Sequence, residues 1–250
     1  MLGTVVLALG VLPLITGCSA NEGAGDASEG TATTANAPVS LSYVALGDSL
    51  AVGLGAYRGY VDRYADYIEA DTGVQVEVVN MGQSGETSSQ LLYALRNRSS
   101  LRQALSAADV ITFNIGINDL GHAGEAYENG TCGGVDSQDC LRTAVETFEE
   151  NWDAIIAELL SLRATGDTVI RTVGLGYTPH VDVAELSGIF EPYVDEVNRH
   201  IATTATNNGI PYAEVHLDKE GISRDGVHPN DEGYQIIAER LRELRYGPLG

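Results

Sequence analysis

A chain of 250 residues, 44% hydrophobic and 20% charged, has room for one α/β domain with a full core and too little for two. Its net charge of −21, with only 14 Lys and Arg, leaves no basic stripe for phosphates and argues against a nucleic-acid partner. Acidity on this scale speaks to a solvated, soluble surface before it speaks to function.

The first element is apolar, residues 2–15, and is shorter than the roughly 20 residues a membrane-spanning helix needs. It runs into Leu14-Ile15-Thr16-Gly17-Cys18, which resembles the lipobox of bacterial lipoproteins. That resemblance implies removal of residues 1–17 and a lipid on Cys18, hence an exported chain tethered to the cell membrane. No Lys or Arg lies in the first five residues, a departure that points to a start further upstream. An ordinary cleaved signal peptide and an uncleaved anchor are the competing readings. Residues 18–40 follow, small and polar without periodicity; they bury too little apolar surface to order themselves and read as a flexible spacer.

From residue 41 to 250 the chain reads as one domain. Runs rich in β-branched and apolar residues at 41–46, 74–80, 110–115, 168–173 and 211–215 predict buried parallel strands. Helices are predicted at 57–70, 88–98, 141–163, 189–207 and 231–244. In the last, Tyr234, Ile237, Ala238 and Leu241 form one apolar stripe, and Asn230 or Asp231 stands where a cap belongs. Five strands alternating with helices predict a three-layer α/β/α sandwich, flavodoxin-like, with a central five-stranded parallel sheet. Ligands in such sheets bind beyond the carboxyl ends of the strands.

Several polar motifs fall at those ends. Gly47-Asp48-Ser49-Leu50 follows the first strand, where a glycine permits the tight turn that exposes a serine hydroxyl. Asp48 reads as structural. Gly82, in Asn80-Met81-Gly82-Gln83-Ser84-Gly85, offers a backbone N–H to a developing oxyanion. Asn118, in Gly116-Ile117-Asn118-Asp119, offers a side-chain amide to the same charge. Near the far end, Asp225-Gly226-Val227-His228-Pro229 supplies a base and the carboxylate that orients it from a single turn. Each motif alone is also ordinary turn chemistry.

Together, in this order, the four motifs resemble the four blocks of the SGNH, or GDSL, hydrolase superfamily. The resemblance spans residues 41 to about 244. It implies a triad of Ser49, His228 and Asp225, with Ser49, Gly82 and Asn118 as oxyanion donors. It further implies ester hydrolysis through an acyl-enzyme, a small-molecule ester substrate and no cofactor. An α/β-hydrolase also orders its triad Ser, Asp, His, but its nucleophile follows several strands rather than the first. Among activities, hydrolysis of acyl esters comes first, a carbohydrate O-acetylesterase second, and a non-catalytic envelope-binding protein third. The loops 121–138 and 176–188 are where selectivity is expected.

Cys132 and Cys140 flank a short loop, and in an exported chain they are expected to form a disulfide, contributing roughly 2.5 kcal/mol. No histidine or further cysteine clusters beside them, so a metal is not implied. His122 reads as a solvated loop histidine, and His180, His200 and His216 as scattered. Trp152 reads as core, and Tyr57, Tyr60, Tyr64 and Tyr67 as one helix face. A monomer is expected.

Overall fold

The computed structural model describes residues 40–176 and 184–249. The expected leader 1–17, Cys18, the expected spacer as far as residue 39, and His180 lie outside that range, as does half of the loop expected at 176–188.

Five strands form one sheet in the order β2-β1-β3-β4-β5: β1 (Ser40–Gly47), β2 (Gln75–Asn80), β3 (Val110–Asn114), β4 (Val169–Val173) and β5 (Tyr212–Ala213). All neighbours are parallel, with Val44 opposite Val79 on one side and Ile111 on the other. Side chains alternate across such a sheet. Val44, Leu46, Ile111, Phe113 and Ile170 enter one core cluster; Tyr43, Ala45, Val110 and Val169 enter the other. Helices α3 (Ser88–Asn97), α4 (Ser99–Ala107), α5 (Ile117–Glu128), α6 (Asp139–Leu162) and α7 (Ala184–Asn207) supply the first cluster. Helices α2 (Tyr60–Thr72) and α8 (Asp231–Glu243) supply the second. This is the α/β/α sandwich with a five-stranded parallel sheet that the sequence predicts. Trp152 is fully buried and stacks on Phe113 at 5.1 Å.

The differences have physical causes. β2 is predicted buried but forms the sheet edge, so its residues are half-buried or exposed, Val79 among them. Part of the loop expected at 121–138 is helical, since α5 runs from Ile117 to Glu128. Its glycines and polar residues mask the buried positions Leu120, Ala123 and Gly124. Tyr60 and Tyr64 are buried, whereas Tyr57 precedes α2 and is almost wholly exposed. Asn230 caps α8, its side chain accepting from the N–H groups of Glu232 and Gly233.

Because β2 lies on one side of β1 and β3 on the other, the chain reverses direction across the sheet at the β1/β3 boundary. A crevice opens at the carboxyl ends of strands flanking such a switch point.

Candidate active site

The turn that bears Ser49 is built from β1 outward. Gly47 takes φ +132°, and a Cβ there would stand 2.3 Å from the Asn114 carbonyl oxygen of the neighbouring strand. Only glycine lets β1 and β3 close at this point. Asp48 then caps a one-turn helix, α1 (Ser49–Val52): its Oδ1 accepts from the Leu50 N–H at 2.9 Å and from Asn114 Nδ2 at 2.8 Å. Asn114 in turn accepts from the Tyr60 hydroxyl at 3.1 Å. Ser49 heads α1, where a helical N–H has no intrahelical acceptor.

Asp48 is buried, and its Oδ2 has no partner. Burial pushes its pKa up to about 6, against the pull of the Leu50 and Asn114 hydrogen bonds. A carboxyl raised on folding holds its proton more tightly in the native state. Its stabilising contribution is therefore complete below the unfolded value and lost as pH rises through about 6. The loss amounts to about 3 kcal/mol for a carboxyl moved that far from its ordinary value. Asp48→Asn keeps the Oδ1 acceptor and removes the charge. Thermal unfolding at pH 4, 6 and 8 is expected to show the variant gaining on the wild type as pH rises, and a difference independent of pH contradicts this account.

His228 and Asp225 come from the turn before α8. His228 Nδ1 lies 2.7 Å from Asp225 Oδ2, while Asp225 Oδ1 accepts from the Ser223 hydroxyl and the N–H groups of Val227 and His228. Burial raises the Asp225 carboxyl, but these hydrogen bonds outweigh it and hold the pKa well below the usual carboxylate range. The turn is pinned where Ser223 N–H donates to the His228 carbonyl at 2.7 Å and Ile222 pairs with Pro229. Gly55, at φ +90°, lies so close that a Cβ would meet that of His228 at 2.7 Å, which brings the loop after Ser49 directly against the histidine.

Ser49, Asn118 and His228 line a single cavity of about 540 Å³. Asn118 donates one amide hydrogen to the Glu86 carbonyl at 2.9 Å, which fixes its orientation and leaves the second hydrogen free for another acceptor. Gly82 stands differently. Its N–H donates to Asn80 Oδ1 at 3.0 Å, and it is not among the cavity-lining residues. Asn80 also donates to the Ala51 carbonyl, so that loop is tied to α1.

Three further carboxyl-bearing positions support these loops; Asp48 reads as structural from the sequence, and the roles of the other two are not evident there. Asp48 is the first. Glu86 is buried and accepts from Gln83 Nε2 at 2.9 Å; burial pushes its pKa up to about 7, the nearby Arg98 opposing and the Asp48 charge adding to the shift. Asp119 is also raised by burial, against the hydrogen bonds it accepts from the N–H and hydroxyl of Ser88. Asn151 on α6 donates to the same hydroxyl. Asp119 thus ties the start of α5, which bears Asn118, to the starts of α3 and the middle of α6. Nothing in a lone Asp or Glu within a turn-like stretch signals such partners in advance.

His122 is on α5 rather than in a loop, and it lines the cavity. His200 is engaged elsewhere, 2.9 Å from Asp153. Cys132 and Cys140 are joined in a disulfide that closes the segment between α5 and α6. Among the described residues no group of three or more His, Cys, Asp or Glu side chains is placed to hold a metal ion.

Comparison with known proteins identifies the family and the fold. A family model described as the GDSL-like lipase/acylhydrolase family matches residues 45–236. The spore germination lipase LipC of Bacillus licheniformis is 29% identical over 221 residues, covering 84% of this chain and 99% of the relative. The crystal structure of the lipase Lip_vut3, from a goat rumen metagenome, superposes with a TM-score of 0.73 at 28% identity, covering 84% of this chain and all of the other. Axe2, an acetyl-xylooligosaccharide esterase from Geobacillus, shares the fold with a TM-score of 0.60 at 18% identity, over 82% of this chain and 94% of the other.

Proposed function

The chain belongs to the GDSL-like lipase/acylhydrolase family, and from that premise we propose that it hydrolyses acyl esters through an acyl-enzyme formed on Ser49. The observation that carries this reading is the 2.7 Å contact between Asp225 and His228 Nδ1, on a histidine that shares one cavity with Ser49.

Asp225 holds the Nδ1 proton in place, so Nε2 carries the lone pair. Nε2 takes the Ser49 hydroxyl proton as Oγ attacks the ester carbonyl. It then gives that proton to the departing alcohol, and the C–O bond to the alcohol breaks. A water activated by the same nitrogen attacks the acyl-enzyme and releases the acid, returning the proton to Ser49. The oxyanion of each tetrahedral state is met by the Ser49 N–H and the second amide hydrogen of Asn118. A preorganised donor of this kind is worth about 3–4 kcal/mol in the transition state. Gly82 joins them only if a substrate oxygen replaces Asn80 as its acceptor. Every step is completed by groups of the chain and water.

Hydrolysis of p-nitrophenyl esters from C2 to C16 is the direct test. Turnover of acyl chains beyond acetate is the expected result. Turnover of acetate alone favours the O-acetylesterase, and no turnover at any length overturns the esterase reading.

As a separate proposal, the enzyme lies outside the cytoplasm, on a lipid attached to Cys18. The lipobox-like sequence supports it, as does a disulfide, which belongs to oxidising compartments. Among the described residues no helix is long and apolar enough to cross a membrane. The full chain is expected to partition into the detergent phase of a Triton X-114 extraction when expressed in a bacterial host. Cys18→Ser is expected to move it to the aqueous phase, and equal partition of the two contradicts the anchor.

A further inference from the structure

The cavity that holds Ser49 is much larger than the reaction needs. An acetyl group occupies a small fraction of about 540 Å³. Its polar lining includes the catalytic groups Ser49, Asn118 and His228 together with the exposed His122, Glu125 and Glu128 of α5, whereas Leu120, Leu175, Phe190 and Val194 give an apolar wall where α5 faces α7. Small-molecule pockets of roughly 300–1,000 Å³ with few polar groups and apolar walls bind apolar ligands. At about 30 Å³ per carbon, near the volume share of a water, a chain of roughly eight to ten carbons fills about half of this one.

Two glycines on α5 decide how far the cavity reaches. Gly121 and Gly124 lie three residues apart, on the same helical face, and both line it. A Cβ at Gly121, an exposed position on the cavity's lining, would meet nothing within 4 Å, so a side chain there has room at the cavity's edge. A Cβ at Gly124 would stand 2.8 Å from Phe190 Cζ, so the Phe190 ring from α7 fills what a side chain there would take. Tyr127 holds that ring edge-on, at 6.3 Å between centroids.

We propose that this is an acyl pocket for medium-length chains, with Gly121 keeping it open and the Phe190 ring, seated on Gly124, walling it. The inference rests on the acyl-enzyme reading above and adds to it the substrate class and the residues that select chain length.

The test is the ratio of kcat/KM for p-nitrophenyl octanoate to that for the acetate, in the wild type, Gly121→Leu and Phe190→Leu. Leucine at the exposed helical position 121 has space, favours the helix and adds apolar bulk at the cavity's edge. The wild type is expected to prefer octanoate. Gly121→Leu is expected to lower the ratio at least about tenfold, the discrimination that one or two methylenes bring in an apolar pocket. Phe190→Leu shortens the wall and is expected to raise laurate relative to octanoate. An unchanged ratio in Gly121→Leu, or a wild type that hydrolyses acetate in preference to octanoate, overturns the acyl pocket while leaving the esterase standing. No hydrolysis of any ester overturns the esterase itself and the pocket with it.

Discussion

Ser49→Ala is expected to lower kcat for ester hydrolysis by roughly 10⁶, the scale on which removal of a triad serine acts. The fold is expected to survive. The turn that presents Ser49 is held by Asp48, Asn114 and Tyr60, and the glycine at 47 lets the strands close beneath it. None of those bonds uses the Ser49 hydroxyl. Turnover on a p-nitrophenyl ester and circular dichroism of the same preparation separate the two properties. A variant that is folded and still turns over at more than a small fraction of the wild-type rate contradicts a serine nucleophile.

Asp225→Asn carries the second-largest effect and probes the orientation of the base. Oδ1 of Asp225 already accepts three hydrogen bonds, from Ser223, Val227 and His228 N–H, and asparagine keeps that oxygen. What changes is the atom 2.7 Å from the ring. An amide N–H there faces the Nδ1 proton, and the histidine responds by carrying its proton on Nε2. A protonated Nε2 in the neutral ring has no lone pair for Ser49. The expected fall in kcat is on the order of 10⁴, the cost of the wrong tautomer. Steady-state kinetics with folded Asp225→Asn checks it. A loss below tenfold contradicts the role given to Asp225.

Much of this architecture is legible without coordinates because its signals are local. β3 and β4 are short β-branched runs, buried on both faces in the structure. The apolar stripe of α8 repeats at helical spacing, and Asn230 before it is a strong cap. The D-x-x-H spacing likewise contains its own geometry, since one turn brings both groups together. Other features depend on partners far along the chain. β2 resembles its neighbours in composition, and only the strand order makes it an edge. Helix α5 is written with Gly121, Gly124 and an Asn-Asp pair, residues that favour turns when read alone. The glycines are accommodated because one faces the Phe190 ring from α7, 66 residues on. Asn80 carries no sign in sequence that it engages the Gly82 N–H, and neither Glu86 nor Asp119 announces the burial that raises its pKa. Side chains whose roles are set by distant contacts are the ones that sequence leaves open.

Reaction of the chain with a fluorophosphonate, followed by mass-spectrometric mapping of the modified residue, tests the central claim most directly. The reagent mimics the tetrahedral state and is captured only by a serine activated beside a base and oxyanion donors. One adduct per chain on Ser49, absent from Ser49→Ala, is the predicted result. An adduct on another residue, or ester hydrolysis that persists while Ser49 stays unmodified, contradicts it.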